Sequence, residues 1–352
     1  MSLLIDLLFL FASFIISFFL YPLWIGFIYK FQIQETARHE SKIGTPTMGG
    51  FVFVSVVSIL TFLFNQSRTQ TLFPVFIATL AGLLGIVEDF TKVYIKSGLP
   101  GFLDYHFGFI SRLFKSKKRV TIFEKFVEFW RIVGSTDDSG VQTHQKFIIQ
   151  SLIGGFVAYW TYFKLGWDYL WFPLIGNVHI GIFYPIVIFI FFLAVLNFVA
   201  FTDGLDGLAG GLSLFVFMAF WVMSVSFEYN SLSAFCATFI GALLPFLYFN
   251  VYPARVFMGN VGSYVLGAVM AVLSIILHRE VAFLIIGLVF LVDGISSPLQ
   301  SWSVRLTRKR LFRIAPIHHH FEALGWPETK VTLRFWIFGM IFGLLGLFIA
   351  LL

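Results

Sequence analysis

The run Asn197-Phe-Val-Ala-Phe-Thr-Asp-Gly-Leu-Asp-Gly-Leu208 joins the end of one long apolar segment to the start of the next, with Asp203 and Asp206 at the junction. A charge at mid-bilayer costs about 2.5 kcal/mol or more on insertion scales, so carboxylates kept at a membrane segment by default face water or carry function. Two such carboxylates bracketed by glycines suggest a site for phosphate and a divalent cation. Asp is also a good N-cap, so the plain alternative is that the pair merely caps the next helix.

Working outward, 59% of the residues are hydrophobic, only 12% are charged and 48 are phenylalanine. That is more apolar surface than a soluble core can bury, and the expected fold is an all-α polytopic membrane protein. At about 20 apolar residues per span, ten transmembrane candidates stand out: 5–29, 49–66, 72–90, 147–166, 181–201, 208–227, 231–249, 262–278, 281–302 and 333–352. The whole of 1–352 then forms one integral membrane domain. The single cysteine, Cys236, lies in an apolar run and excludes an internal disulfide framework.

The net charge of +6 reads as topology and not as a nucleic-acid surface. With both termini extracytoplasmic, every Lys and Arg except Arg68, Lys164 and Arg279 falls on the cytoplasmic side. The first segment carries Asp6 and is followed by Lys30, which fits an uncleaved span. An enlarged cytoplasmic loop, about 91–146, holds the basic, aromatic stretch 107–119 and a helix expected at 122–132. That loop either lies on the anionic leaflet or is a solvated helical excursion. The outer loop 166–181 reads as a short hairpin.

Sorted by side, the polar groups converge. Lys42 with Gly44-Thr-Pro-Thr-Met-Gly-Gly50, the Glu88-Asp89 pair, Asn197 to Asp206, Asn250 to Ser263 and Ala315-Pro-Ile-His-His-His320 all fall at cytoplasmic ends of spans. Singly, each has an ordinary explanation as a loop or helix terminus. Together on one face, they suggest a site.

Those stretches, with Thr202-Asp-Gly-Leu-Asp-Gly-Leu-Ala209, Val256-Phe-Met-Gly259 and the Gly325-Trp-Pro-Glu328 after the histidines, resemble the phospho-N-acetylmuramoyl-pentapeptide transferase (MraY) family. That family lies within the polyprenyl-phosphate N-acetylhexosamine-1-phosphate transferases. The resemblance implies a bacterial inner-membrane enzyme that uses Mg2+ to move phospho-MurNAc-pentapeptide from UDP-MurNAc-pentapeptide to undecaprenyl phosphate. Lipid I and UMP would be the products, formed on the cytoplasmic face among membrane lipid, with a homodimer left open.

By the same resemblance Asp89 handles the acceptor phosphate, as base or by positioning it, and Glu88, Asp203 and His318 complete the catalytic set. Lys42 and Lys146 face phosphates, Asp203 and Asn197 line the nucleotide-sugar site, His318 and His319 contact the nucleotide or pyrophosphate, Asp206 and His320 bind substrate, and Phe257 stacks on uracil. Asp89 and position 260 would hold the metal.

The chain departs from the family pattern in several places. Glu88 stands for an aspartate, Ala200 for an asparagine, Asp293 for a glutamate, and Asn260 for the aspartate of Phe-Met-Gly-Asp. Asparagine keeps an oxygen but gives up the charge that a reluctantly dehydrating cation needs, so weak magnesium binding is expected. Pro298 is expected to kink the ninth segment. Three readings follow: a lipid I synthase, a non-catalytic relative that binds the lipid phosphate or nucleotide sugar, and a transferase for another UDP-amino sugar.

Overall fold

The computed structural model describes residues 2–30, 44–94 and 143–352. Long uncharged runs become helices because, with lipid in place of water, each segment must satisfy its own backbone N–H and C=O groups. In chain order these are α1 (Ser2–Lys30), α2 (Gly50–Phe64), α3 (Phe73–Tyr94), α4 (Thr143–Tyr159), α5 (Tyr184–Thr202), α6 (Leu208–Ser226), α7 (Asn230–Asn250), α8 (Gly259–Ile276), α9 (Glu280–Ile286), α10 (Leu288–Thr307), α11 (Ile317–Ala323) and α12 (Glu328–Ala350). Between α4 and α5, β1 (Tyr169–Phe172) and β2 (Gly176–His179) pair antiparallel, Tyr169 opposite His179, and form the expected hairpin.

Each of the ten expected windows contains a helix, but only seven are long and apolar enough to cross a membrane, or eight if α9 and α10 form one span bent by 83°. Helix α2 is short, at 15 residues, and α4 gives way to a π-helical turn at Trp160–Lys164. The break between α9 and α10 falls at Gly287. Pro298 lies inside α10, which continues past it. Membrane helices tolerate proline where neighbouring groups satisfy the freed carbonyl. The stretch 107–119, the helix expected at 122–132 and most of the 91–146 loop lie outside the described residues.

Helix α8 is the axis of the bundle. It is almost wholly buried and packs against α2, α3 and α5. Small residues permit those crossings, as is usual where lipid supplies no hydrophobic drive between helices. A Cβ on Gly85 of α3 would collide with the backbone of Asn260 and Val261 at the start of α8. Its absence lets the C-terminal end of α3 reach the first turn of α8. At the other end of the bundle, buried Asp6 of α1 accepts hydrogen bonds from Trp221 Nε1 (2.9 Å) and Ser233 Oγ (3.1 Å), so α1 is tied to α6 and α7 by a satisfied carboxylate.

Candidate active site

Asp89 lies one turn beyond Gly85, buried at the start of α8. Its Oδ1 accepts hydrogen bonds from the Asn260 backbone N–H (3.0 Å) and the Asn260 side-chain Nδ2 (2.9 Å), and its Oδ2 accepts one from the Val261 N–H (3.2 Å). A helix N-terminus has unpaired N–H groups and a positive dipole end, and Asp89 satisfies both from another helix. Gly259 makes room for this. Its φ is +73°, and a Cβ there would stand 2.6 Å from Asp89 Oδ2 and 2.9 Å from the Met48 nitrogen.

The neighbouring Glu88 is also buried but is used differently. It forms an ion pair with Lys146 of α4 and accepts a 2.6 Å hydrogen bond from the Tyr264 hydroxyl of α8. One turn along α4, Gln150 Oε1 accepts a bond from Asn197 Nδ2 (3.0 Å), which links α4 to α5. Lys42 lies outside the described residues.

The segment from Asn250 to Asn260 connects this cluster to the Asp203 loop. Gly49 N–H donates to the Phe257 carbonyl (2.8 Å) and Phe257 N–H to the Pro46 carbonyl (2.8 Å), so the Gly44–Gly50 loop and the half-buried Phe257 are held together. Asn250 donates from Nδ2 to the Val256 carbonyl (2.9 Å) and accepts from Gly207 N–H (3.1 Å). Asp206 Oδ2 accepts from Ala254 N–H (3.0 Å), while Asp206 N–H donates to Glu328 Oε1 (2.6 Å). The N-cap of α6 is Gly207 and has no side-chain cap bond, so Asp206 braces two loops and does not cap the helix. Asp203 is half-buried at the end of α5.

The histidines come from the other side. His318 is fully buried: its N–H donates to Asp293 Oδ1 (2.9 Å) and its Nδ1 lies 2.7 Å from Asp293 Oδ2. A carboxylate at Nδ1 accepts a hydrogen bond from the Nδ1–H, which keeps the proton on that nitrogen and leaves Nε2 as the free, unprotonated atom. That Nε2 has no hydrogen-bond partner among the described residues, and a Cβ on Gly204 would collide with it. The glycine after Asp203 thus brings the carboxylate loop against the imidazole. His319 Nδ1 pairs with Glu322 (2.7 Å), and His320 Nδ1 accepts from Arg313 N–H (3.0 Å), which orients the loop.

Asp89 with Asn260, Glu88 with Lys146, the Asp203–Asp206 loop and the His318–His319 pair therefore adjoin one continuous framework. Tyr264, Gln150, Asn250 and Glu328 join it as partners that sequence reading assigned no role. Glu328 had a signal, its place in Gly325-Trp-Pro-Glu328. Tyr264 had none, since a tyrosine in an apolar helix looks like core.

Asp89 and Asn260 meet, but the donor set fits a divalent cation poorly. The nitrogen of Asn260 faces Asp89, both Asp89 oxygens accept hydrogen bonds, and no group of three or more His, Cys, Asp or Glu among the described residues is placed to hold a metal.

A bundle of apolar helices with this polar end is a polytopic membrane transferase, and residues 125–278 match the family described as Glycosyl transferase family 4. The chain is 34% identical to the phospho-N-acetylmuramoyl-pentapeptide-transferase of Latilactobacillus sakei subsp. sakei (strain 23K), with 94% of each chain covered. It is 34% identical to that of Staphylococcus aureus (strain bovine RF122 / ET3-1), with 96% of each covered. The Clostridium perfringens (strain 13 / Type A) relative is 32% identical, with 94% of each covered. The chain belongs to the phospho-N-acetylmuramoyl-pentapeptide-transferase family.

Proposed function

We propose that this protein transfers phospho-MurNAc-pentapeptide from UDP-MurNAc-pentapeptide to undecaprenyl phosphate, giving lipid I and UMP, at the cytoplasmic face of the bacterial inner membrane. The observation that carries the reading is the meeting of Asp89, the Asp203–Asp206 loop and His318 around the 250–260 segment, at the end of the bundle away from the β-hairpin. A lipid phosphate arriving along the bilayer and a nucleotide sugar arriving from water can meet only at such an edge.

In the reaction an oxygen of the lipid phosphate bonds to the sugar-bearing phosphorus, and the bond from that phosphorus to the bridging oxygen breaks, so that UMP leaves with the electron pair. Positioning and charge stabilisation supply most of such a rate. Asp89, already accepting three hydrogen bonds, is suited to placing the acceptor more than to taking its proton. Lys146, steadied by Glu88, offers cationic N–H donors to phosphate oxygens. His318, its tautomer set by Asp293, presents Nε2 beside the Asp203 loop. Phe257 offers a face for the uracil ring. Magnesium is held weakly here, because Asn260 turns its amide nitrogen to Asp89.

That same contact favours a second reading, a relative that binds the nucleotide sugar or the lipid phosphate without turnover, since Asp89 already accepts three hydrogen bonds from the first turn of α8. Measuring UMP release from UDP-MurNAc-pentapeptide with undecaprenyl phosphate and magnesium in detergent separates the two. Sustained release supports the transferase; binding of both substrates with no release supports the second reading.

A further inference from the structure

Helix α8 starts at the candidate active site and ends about 25 Å further on, at 1.5 Å per residue, so the residues after it lie at the opposite membrane face. There, under the β-hairpin, is a pocket of about 410 Å³ lined among others by Tyr169, Trp171, Asn177, Tyr229, His278 and Arg279. Arg279 is one of the few basic residues on this side, and it is clamped. Its guanidinium carbon lies 3.9 Å from the centroid of Trp171 and 4.7 Å from that of Phe227. Its Nε donates to the Ala350 carbonyl (2.8 Å) and its Nη1 to the His278 carbonyl (3.0 Å). Nη2 makes no hydrogen bond to the described residues and is not buried. No carboxylate among those residues forms an ion pair with Arg279; the adjacent Glu280 is buried with both oxygens unpartnered.

Burial and the neighbouring Arg279 push His278 down to about 4, so its ring is neutral at pH 7 and Arg279 is the pocket's charge. His278 Nδ1 is buried without a partner, a second unmet polar atom at the same place. The hairpin tip and the turn after it expose Leu174 (91%), Ile175 (75%), Ile182 (71%) and Phe183 (65%). With the Trp and Tyr walls, that is the pattern of a segment seated at the headgroup level of a bilayer.

We propose that this outer pocket binds a phosphate group, the diester headgroup of an anionic phospholipid, through Arg279. The clamp fixes the guanidinium before binding, so little side-chain freedom is lost, and the fork geometry suits two phosphate oxygens. Asn177, exposed on β2, supplies an amide on the facing wall.

Native mass spectrometry of the detergent-purified full chain, after exposure to phosphatidylglycerol, tests this. One retained lipid is expected, with retention falling roughly tenfold or more in Arg279→Gln, the loss expected for a charge-assisted hydrogen bond. Asn177→Trp fills the pocket without touching the Arg279 tie to Ala350, and the same fall is expected there with thermal stability unchanged. Unchanged retention in both variants overturns the site. So does loss in Arg279→Gln alone, which would mark a loosened α12. Persistence of the lipid against millimolar inorganic phosphate supports a headgroup ligand, and its displacement overturns the lipid as occupant in favour of the free anion.

Discussion

The two ends of α8 handle charge in opposite ways. At its N-terminal end, Asp89 and Glu88 are buried and engaged by the first turn of α8, by Tyr264 and by Lys146. Beyond its C-terminal end, Arg279 is fixed by aromatic rings and carbonyls, while the Glu280 oxygens and His278 Nδ1 have no hydrogen-bond partner among the described residues. The first end is a framework that holds several groups in register, whereas the second holds a single cation with an N–H donor to spare. Buried polar groups need partners; His318 Nε2 at the first end and His278 Nδ1 at the second have none among the described residues.

An all-or-none test of the comparison is its sidedness. Cysteine placed at exposed Lys309 should react with an impermeant reagent only from the cytoplasmic side, and cysteine at exposed Leu174 only from the other. Labelling of both from one side would collapse the distinction between the two faces.

The next largest effect is expected at Asp89. Asp89→Asn removes the charge that both holds α8 and places the acceptor, and UMP release should fall at least ~100-fold. Near-normal turnover would reduce Asp89 to a helix cap. For Asp293→Asn the expected loss is roughly tenfold, in the range for removing a group that orients a histidine. It should appear in kcat more than in KM, because the amide no longer dictates which His318 nitrogen carries the proton. An equal rise in KM would place His318 in ground-state binding instead.

The smallest change is the most discriminating. Asn260→Asp sets a second carboxylate against Asp89 Oδ1, where the wild-type amide donates a 2.9 Å hydrogen bond. Like charges at that separation need a cation or a proton. The variant should melt lower than wild type in EDTA, recover with magnesium, and show turnover a few-fold higher at lower magnesium. A variant indifferent to magnesium in both melting and turnover removes position 260 from the metal.

Much of this was legible in the chain. Hydropathy located a helix in every window and the hairpin in its loop, because lipid leaves an apolar segment no other way to satisfy its backbone. Charge bias suggested which loops share a face, and the family resemblance suggested one site for Asp89, Asp206, Asn260 and His318. The number of full spans was less legible, since the 83° bend at Gly287 depends on how α9 packs against α12. The same limit applies to the capping alternative at Asp206, whose true partner, Ala254, lies across a loop.

Composition and pattern alone therefore determined a membrane bundle with its polar motifs gathered toward one end, because burial and solvation act on each segment in turn. Only the tertiary structure decided that Asn260 donates to Asp89 where a metal was expected, that Asp293 sets the tautomer of His318, and that Arg279 stands clamped at the far face. Each of those depends on which groups from distant segments fall within 3–4 Å of one another, a distance that one-dimensional spacing does not encode.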